Sequence, residues 1–301
     1  MAKILDGRIV RDKIAKKLEK EITLWARGPQ GRRPKLVIIQ VGDLAESNTY
    51  IRQKILFGEK IGCLVDHLKF DEHISQKNLQ TTISELNTDP SVTGIIVQMP
   101  IPAHLDKDEI IEAIDPKKDV DGLTSTNLKL LWENRSGGFT PATTKGILEL
   151  LDSYKIPVSG KKVVVIGRSF LVGKPTALAF LNRDATVTIC HRETRNLKLE
   201  TRNADILIVA VGKPNLITKD YVRKNQVVID VGINVIGNTK QETGNKKPET
   251  EPVGRKLVGD VDFDSVKTVI AAISPVPGGV GPLTVASLFE NLLEAYSKQT
   301  T

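Results

Sequence analysis

The sequence predicts an α/β protein built from two domains, each containing a parallel sheet. Apolar runs of strand length alternate with segments whose apolar residues recur at helical spacing, and this alternation occurs in both halves of the chain. Strands that alternate with helices pair in parallel, because each crossover helix returns the chain to the same end of the sheet. A chain of 301 residues is long enough to bury a separate core in each of two domains.

The N-terminal half supplies the first set of elements. Its first helix is predicted by apolar residues that recur on one face, namely Ile14, Leu18, Ile22 and Trp25. Two continuous apolar runs, residues 36–41 and 92–99, have the character of strands covered on both faces. Further helices are predicted at residues 47–60, after a capping Ser75, and at residues 106–114.

The C-terminal half repeats the pattern from about residue 140. Strands are predicted at residues 162–166, 185–190, 205–211 and 227–231, with a helix over residues 173–182. The polar stretch 237–256 is predicted to form an exposed loop or an irregular hairpin. Two shorter strand-like pieces, near residues 257–261 and 268–273, precede a final helix that ends near residue 296.

The composition excludes several classes of protein. No apolar run approaches the ~20 residues of a membrane helix, and the N-terminus lacks the features of a signal peptide. Cys63 and Cys190 lie in apolar surroundings, which favours two buried, reduced thiols and a cytoplasmic location. The net charge of +7 favours anionic small molecules as ligands. Because the basic residues form no stripe interleaved with aromatic residues, nucleic acid is not an expected partner.

A glycine-bounded turn follows the predicted strand at residues 162–166. Gly167-Arg168-Ser169 begins the turn, and Gly173 opens the next helix. Glycines let the backbone approach a pyrophosphate, and the N-terminus of a helix favours its negative charge. The spacing departs from G-x-G-x-x-G, because serine takes the second glycine position and the turn is one residue longer. Within a series of β–α units, this turn predicts a dinucleotide site.

The next predicted strand ends in Cys190-His191-Arg192, where a NAD enzyme usually places an acid for the ribose diol. Arginine suits the 2′-phosphate of NADP, because its planar fork forms paired hydrogen bonds to phosphate. NADP is therefore the predicted cofactor, with NAD as the alternative. The other interpretation of Arg192 is a solvated surface residue.

Three polar residues predict a reactive face on the helix over residues 47–60. Ser47, Tyr50 and Lys54 are spaced to lie in one column, where they can orient a flat ligand and exchange a proton with it. A solvated polar face would show the same pattern. Gln98 favours the first interpretation, because it ends a buried strand and open α/β sheets bind ligands there. Residues 118–122 add two acids in a glycine-containing turn.

Six segments that occur in order resemble one known family. They are residues 47–54, 94–102, 118–122, 167–169 with 172–175, 230–234 and 275–282. Together they are similar to the bifunctional methylenetetrahydrofolate dehydrogenase/cyclohydrolase family over nearly the whole chain. The resemblance implies a folate-binding catalytic domain of residues 1–140 plus 283–301, to which the last helix returns. It also implies a Rossmann NAD(P)-binding domain of residues 141–282 that forms a homodimer, in a cytoplasmic enzyme of one-carbon metabolism and purine biosynthesis.

The resemblance implies roles for single residues as well. Lys54 is the expected central catalytic group, and Gln98 tunes it. Tyr50 is expected to stack on the folate, and Asp121 to grip its pterin. The other residues expected to bind the tetrahydrofolate substrate are Ser47, Val97, Met99, Pro277, Gly278 and Gly279. The residues expected to bind the dinucleotide are Gly167, Arg168, Ser169, Gly173, Arg192, Gly212 and Ile233. No metal site is expected.

One pair of residues leaves the identity of the cofactor open. Asp184 with Arg192 also resembles the family's mitochondrial branch, which uses NAD and fills the same space with inorganic phosphate and magnesium. In that interpretation the carboxylate holds the magnesium. In the other, Asp184 is a plain turn residue before Ala185.

The implied chemistry is oxidation of 5,10-methylenetetrahydrofolate with NADP, followed by hydrolysis of the methenyl product to 10-formyltetrahydrofolate. The first step needs mainly alignment, because the nitrogens beside the aminal carbon stabilise the cation that forms. The second needs proton transfer, which a lysine performs only if its pKa is lowered. The alternatives are a NAD-dependent or dehydrogenase-only member of the family, an unrelated Rossmann dehydrogenase acting on a small hydroxy or amino acid, and a non-catalytic folate- or dinucleotide-binding module.

Overall fold

The computed structural model describes residues 1–27, 31–236 and 256–300, and it confirms the predicted α/β class. The strands are β1 (Lys3–Ile4), β2 (Lys35–Val41), β3 (Leu64–Phe70), β4 (Gly94–Val97), β5 (Lys162–Ile166), β6 (Thr186–Cys190), β7 (Ile206–Val209), β8 (Val227–Asp230), β9 (Asn234–Ile236), β10 (Lys256–Val258) and β11 (Ala272–Ile273). The helices are α1 (Gly7–Arg27), α2 (Ala45–Ile61), α3 (Gln76–Thr88), α4 (Lys107–Glu112), α5 (Ser125–Trp132), α6 (Ala142–Ser153), α7 (Gly173–Leu181), α8 (Leu197–Arg202), α9 (Phe263–Val266) and α10 (Val280–Thr300).

The chain divides into two compact units, neither of them continuous in sequence. The three-stranded unit comprises Arg8–Ser153 and Pro282–Thr301. The six-stranded unit comprises Met1–Gly7 and Tyr154–Gly281. Within the described residues, no helix is both long enough and apolar enough to span a bilayer.

The three-stranded unit contains a parallel sheet in the order β3-β2-β4. Leu79 and Ile83 of α3 share an apolar cluster with residues of β2 and β4, so this helix covers one face. Helix α10 supplies Phe289, whose ring lies 5.3 Å from that of Phe57 in α2. It also supplies Leu292, which lies close against Gly94 of β4. The last helix therefore completes the core of this unit, as predicted.

The six-stranded unit contains a parallel sheet in the order β1-β11-β8-β7-β5-β6. Strands β5, β7 and β8 occupy the middle, and their residues are almost all fully buried, as expected when helices cover both faces of a sheet. Strand β6 lies at one edge and is largely exposed. Strands β9 and β10 form a separate antiparallel pair.

The compact units differ from the predicted domain boundaries in two segments. The first residues belong to the six-stranded unit, because β1 pairs in parallel with β11 and Leu5 N–H donates to Ile273 O at 2.8 Å. Helix α6 belongs to the three-stranded unit. Its Lys145 donates from Nζ to Asn291 Oδ1 of α10 at 3.0 Å, and Gly146 lies against Leu283.

Most predicted elements are present, and the differences have local causes. Strand β3 was not predicted, because it is an edge strand in which charged residues interrupt the apolar ones. Helices α5 and α6 were also not predicted. The strand-like stretch 268–273 is a strand only at Ala272–Ile273. Of the predicted loop 237–256, residues 237–255 lie outside the described residues and Lys256 belongs to β10. Both cysteines are buried, as predicted.

Candidate functional site

The predicted polar column lies on α2, in the three-stranded unit. Ser47 is buried, and Tyr50 and Lys54 are partly buried. Ile51 points into the core, so the helix is amphipathic with its polar column beside the buried face. The partial burial of Tyr50 raises the pKa of its hydroxyl, because burial disfavours the charged form.

Lys54 is held by Gln98, which follows the carboxyl end of β4. Lys54 Nζ donates to Gln98 Oε1 at 2.7 Å. The other end of the same amide donates from Nε2 to Met99 O at 2.8 Å, which fixes the orientation of its oxygen toward the lysine. The backbone of Gln98 is fixed as well, because its N–H donates to Ile39 O of β2 at 2.8 Å. The sheet therefore fixes Gln98, and the Gln98 amide in turn positions the Lys54 amine. Val97, the residue before Gln98, is buried.

Asp121 is the third member of this cluster. Burial raises the pKa of its carboxyl, while the positive charge of Lys54 opposes that shift and the negative charge of Asp119 adds to it. Burial lowers the pKa of the Lys54 ammonium, and the Asp121 carboxylate opposes this in turn. Lys54 and Asp121 thus share one desolvated environment, in which the neutral form of the amine is favoured relative to a lysine in water.

The turn that carries Asp121 is organised by a residue that sequence reasoning did not single out. Asp119 is fully buried, and its Oδ1 accepts from Gly122 N–H at 2.9 Å. Its Oδ2 accepts from the N–H and the hydroxyl of Thr124 at 2.7 and 2.8 Å. Asn127 adds a further bond from Nδ2 at 2.8 Å. The signal in the sequence was that Asp119 is the other acid of this turn, two residues before Asp121.

The predicted dinucleotide turn connects β5 to α7 in the six-stranded unit. Gly167 has a φ of +123°, and a Cβ atom built on it would overlap the carbonyl oxygen of Ala210. A Cβ on Gly173 would overlap the carbonyl oxygen of Gly167. Ser169 Oγ accepts from the N–H groups of Val172 and Gly173 at 3.2 Å each. Both glycines are therefore required by the tightness of the turn.

Two exposed arginines lie at the carboxyl edge of the same sheet. Ile166 of β5 pairs with Cys190 of β6, so Arg168 and Arg192 each follow their strand by two residues. Arg192 donates from Nε to Glu193 at 2.9 Å. The side chain of Arg192 is 82% exposed, so this surface ion pair leaves its guanidinium open to solvent.

Asp184 occupies a turn at the opposite end of β6 from Arg192. It has a φ of +61°, and its carbonyl accepts from Gly160 N–H at 2.9 Å. One whole strand of five residues separates it from the edge that carries Arg192. The structure therefore supports the interpretation of Asp184 as a turn residue. Among the residues with described positions, no group of three or more His, Cys, Asp or Glu side chains forms a metal site.

The remaining predicted contacts all lie in the six-stranded unit. Gly212, with a φ of +65°, follows β7, and the exposed Ile233 follows β8. Pro277 is exposed, whereas Gly278 and Gly279 are buried, and Gly278 O accepts from Gly7 N–H at 2.8 Å. The structure thus brings Lys54, Gln98 and Asp121 together in one unit and places the predicted dinucleotide residues in the other. The joint role of Pro277, Gly278 and Gly279 with Lys54 stays a prediction.

Comparison with known proteins gives one consistent result along the chain. The family model for the tetrahydrofolate dehydrogenase/cyclohydrolase catalytic domain matches residues 5–121. The model for the NAD(P)-binding domain of the same family matches residues 141–300. The bifunctional protein FolD of Acholeplasma laidlawii is 44% identical over 296 residues, which cover 98% of this chain and 99% of that protein. Bifunctional protein FolD of Lactobacillus gasseri is 45% identical over 299 residues, with 99% of each chain covered.

Solved structures give the same result. The crystal structure of the bifunctional enzyme FolD from Campylobacter jejuni superposes with a TM-score of 0.90 at 40% identity and covers 99% of each chain. The structure of the Trypanosoma brucei methylenetetrahydrofolate dehydrogenase-cyclohydrolase, complexed with NADP cofactor and inhibitor, superposes with a TM-score of 0.92 at 35% identity. It covers 99% of this chain and 98% of its own. The similarity therefore extends through both compact units.

Proposed function

Because the chain belongs to the tetrahydrofolate dehydrogenase/cyclohydrolase family, we infer that it is the bifunctional enzyme that supplies 10-formyltetrahydrofolate. It oxidises 5,10-methylenetetrahydrofolate to 5,10-methenyltetrahydrofolate with NADP, and it hydrolyses that product. The match sets aside the alternatives outside this family. The NAD-dependent and dehydrogenase-only members are left to be distinguished by experiment.

One observation carries the hydrolase half of this function. Lys54 Nζ lies 2.7 Å from Gln98 Oε1, in an environment where burial lowers the pKa of the amine. The amide oxygen accepts a hydrogen bond from the amine in either charge state, so it orients Nζ without forcing it to stay charged. A partly neutral lysine takes a proton from the attacking water and returns one to the departing ring nitrogen. A bound methenyl cation lowers the pKa of Lys54 further, because like charges repel.

The remaining residues of this unit are proposed to hold the folate. Tyr50 presents a partly buried ring for stacking on the flat aromatic parts of the folate. Asp121 offers a carboxylate to the amino groups of the pterin, at a turn fixed by Asp119. The other proposed contacts to the substrate are Ser47, Val97, Met99, Pro277, Gly278 and Gly279.

The residues of the six-stranded unit fit a dinucleotide with a 2′-phosphate. Helix α7 begins directly behind the glycine turn and has no acid in its first turn, so its N-terminus favours a pyrophosphate. Arg168 and Arg192 are exposed at the same edge of the sheet, where an acid for the ribose diol is replaced by a guanidinium. When bound, NADP accepts a hydride from the aminal carbon of the substrate. Gly167, Arg168, Ser169, Gly173, Arg192, Gly212 and Ile233 are the residues proposed to hold it.

Arg192→Ala is expected to weaken NADP binding by about 1.5–3 kcal/mol and to leave NAD binding almost unchanged, because only NADP carries the 2′-phosphate. The dissociation constants of both cofactors, measured by titration of the purified enzyme, check this. Arg195→Ala is the matched control, since Arg195 is also exposed but lies five residues beyond the strand end, against two for Arg192. Equal losses for NAD and NADP would contradict a phosphate contact.

A direct assay tests the whole proposal. The enzyme is incubated with methylenetetrahydrofolate and either cofactor, and methenyl absorbance is followed as it appears and then decays. We expect formation with NADP and a decay faster than in buffer alone. Methenyltetrahydrofolate that accumulates without accelerated decay would indicate a dehydrogenase-only enzyme. Activity with NAD that rises steeply on adding phosphate and magnesium would overturn the NADP assignment.

The pH profile tests the coupling of Lys54 to Asp121. Hydrolysis requires the neutral amine, so its rate rises with pH through the pKa of Lys54 and then levels off. The Asp121 carboxylate favours the charged amine, so Asp121→Asn is expected to lower the pKa of Lys54 further and to move this inflection to lower pH. The measurement is kcat against pH at saturating methenyltetrahydrofolate. Asp108→Asn, which changes an exposed acid, serves as the control. An unmoved inflection, or one at higher pH, would show that Asp121 does not act on the lysine.

Assembly and location are further parts of the proposal. A homodimer through the six-stranded unit is supported by β6, an edge strand with Ile189 42% exposed, because unpaired edges favour pairing with a second copy. Light scattering of the purified protein measures this. A cytoplasmic enzyme that supplies 10-formyltetrahydrofolate for purine biosynthesis is consistent with the two buried, free thiols.

A further inference from the structure

Two buried carboxylates lie at the carboxyl edge of the six-stranded sheet, outside the residues already assigned a role. Asp230 is the last residue of β8, and Asp260 follows β10 by two residues. Both are buried. Buried acids are costly unless their oxygens are fully hydrogen-bonded, so the partners of these two indicate what the structure gains from them.

Asp260 binds the loop after β7 and the start of β9 at the same time. Its Oδ2 accepts from the N–H groups of Val211 and Gly212 at 2.7 and 2.9 Å. Its Oδ1 accepts from Lys213 N–H at 2.8 Å and from Asn234 Nδ2 at 2.9 Å. Four donors therefore converge on one carboxylate, and three of them are consecutive backbone groups.

Asp230 binds the segment that carries Asp260. Its Oδ1 accepts from the N–H groups of Gly232 and Asp260 at 3.0 Å each, and its Oδ2 accepts from Val261 N–H at 2.9 Å. Burial raises the pKa of Asp230 to about 7, although these three backbone hydrogen bonds lower it. Near neutral pH the pair therefore need not carry two full buried charges.

Two glycines make room for the two acids in a reciprocal manner. A Cβ atom on Gly232, two residues after Asp230, would overlap the carboxyl group of Asp260. A Cβ atom on Gly259, which precedes Asp260, would overlap the carboxyl group of Asp230. The carboxyl group of each acid therefore fills the space beside the glycine that lies near the other acid. The four residues pack together as one cluster.

The backbone that this cluster holds is the part of the carboxyl edge of the six-stranded sheet proposed to contact the dinucleotide. Gly212 lies in the loop bound by Asp260, and Ile233 lies between Gly232 and Asn234, both of which touch the pair. Strand β7 lies between β5 and β8, so this loop is next to the glycine turn after β5. Ligands of open α/β sheets bind outside the carboxyl ends of the strands, which is where these loops are fixed.

We propose that Asp260 is a positioning residue for the nicotinamide dinucleotide, which fixes the backbone at Gly212 and Ile233 in the conformation that binds it. This inference rests on the dinucleotide site of the proposed function and adds a residue that does not itself touch the ligand. The carboxylate form is required. An amide replaces one acceptor oxygen with a donor, so whichever way it is placed, two of the four N–H groups face an NH₂ group instead.

Asp260→Asn is expected to raise the Kd and the KM for NADP about 10- to 100-fold, because two buried donors lose their acceptors and the loop leaves its binding conformation. Hydrolysis of methenyltetrahydrofolate without any dinucleotide is expected to stay within about twofold of wild type, because Lys54 and its partners lie in the other compact unit. Asp264→Asn is the matched control, since Asp264 is a nearby acid that is 83% exposed. It should change neither activity.

Two further variants make the outcome decisive. If Asp260→Asn does not fold, Asn234→Ala removes one of the four donors without burying a new polar group, and we expect it to raise the Kd for NADP about 2- to 10-fold. An NADP affinity within twofold of wild type in the variant that folds would overturn the positioning role. Equal loss of NADP binding and of hydrolysis would also overturn it, because that is the signature of general destabilisation. If the wild-type protein bound no NADP, the proposed cofactor itself would be refuted. If Arg192→Ala weakened NADP binding while the Asp260 variant did not, the dinucleotide site would stand and the positioning role of Asp260 would fail.

Discussion

Lys54→Met is expected to slow hydrolysis of methenyltetrahydrofolate by about 10²- to 10⁴-fold, the range that general acid–base catalysis contributes. Methionine keeps a flexible stem of similar length and removes the amine, so the hydrogen bond to Gln98 Oε1 is lost with the proton-transfer group. NADP affinity is expected to be unchanged, because the dinucleotide residues lie in the six-stranded unit. The rate is measured with the methenyl compound as the starting substrate, with the buffer-catalysed rate subtracted.

Folding is expected to survive this substitution. Removing the ammonium takes away the positive charge that lowers the pKa of Asp121, so this carboxyl, whose pKa burial already raises, is expected to take up a proton rather than remain a buried, unpaired charge. Lys60→Met is the matched control, because Lys60 lies on the same helix but is exposed and pairs with Asp12 at the surface. Wild-type hydrolysis by Lys54→Met would show that another group transfers the proton.

Gly167→Ala is expected to reduce the NADP-dependent dehydrogenase activity by about 10²- to 10³-fold. The backbone at Gly167 has a φ of +123°, which L side chains rarely adopt, and its Cβ would overlap the carbonyl oxygen of Ala210 at the end of β7. Strain of this kind costs about 1–3 kcal/mol, and the overlap with the Ala210 carbonyl adds to it. The turn must open to relieve both, which moves the N–H groups at the start of α7 away from the place where the pyrophosphate is proposed to bind.

Gly160→Ala tests the effect of a positive φ without steric overlap of the added Cβ atom. Gly160 has a φ of +71° in the same unit, and a Cβ atom on it meets nothing within 4 Å. It should cost about 1 kcal/mol of stability and leave the dehydrogenase activity close to wild type. The comparison uses kcat/KM for NADP, with hydrolysis of methenyltetrahydrofolate as a check on folding. If both variants lost dehydrogenase activity to the same extent, steric overlap at the turn would not be the cause.

The grouping of the candidate catalytic residues was predictable because its signals are short-range. Ser47, Tyr50 and Lys54 are spaced within two turns of one helix, and Gln98 ends an apolar run whose direction in the sheet follows from the β–α order. The glycine turn at Gly167 is local in the same sense. Periodicity and turn chemistry therefore led to the residues, and the resemblance to a family supplied their roles.

The buried acids were not predictable, because their partners are distant in sequence. Asp260 is bonded to three N–H groups that lie 47, 48 and 49 residues before it. In the sequence such an acid looks like any residue of a polar turn, since nothing local shows that water is excluded from it. Asp119 was easier to recognise, because its partners lie within eight residues of it, but the functional role was predicted for Asp121 instead.

Strand β3 shows a second limit. Its residues are all exposed or only partly buried, because the strand lies at an edge of the sheet. Lys35 and Asp66, on paired strands, form an ion pair at 2.7 Å that replaces an apolar contact. An edge strand of this kind has no continuous apolar run to mark it in the sequence, although its backbone pairing is regular.

The discontinuity of both compact units has a consequence for how the chain is made. Strand β1 leaves the ribosome long before its partner β11 exists, and the three-stranded unit waits for α10 to fill the space beside β4. Neither unit can therefore complete its sheet or core before residues 272–300 have been synthesised, so the usual order, in which an N-terminal domain folds first, does not apply. The closing contacts join residues at opposite ends of the sequence, so their formation carries a large loop-closure cost. Both compact units therefore stay incomplete until β11 and α10 have been added.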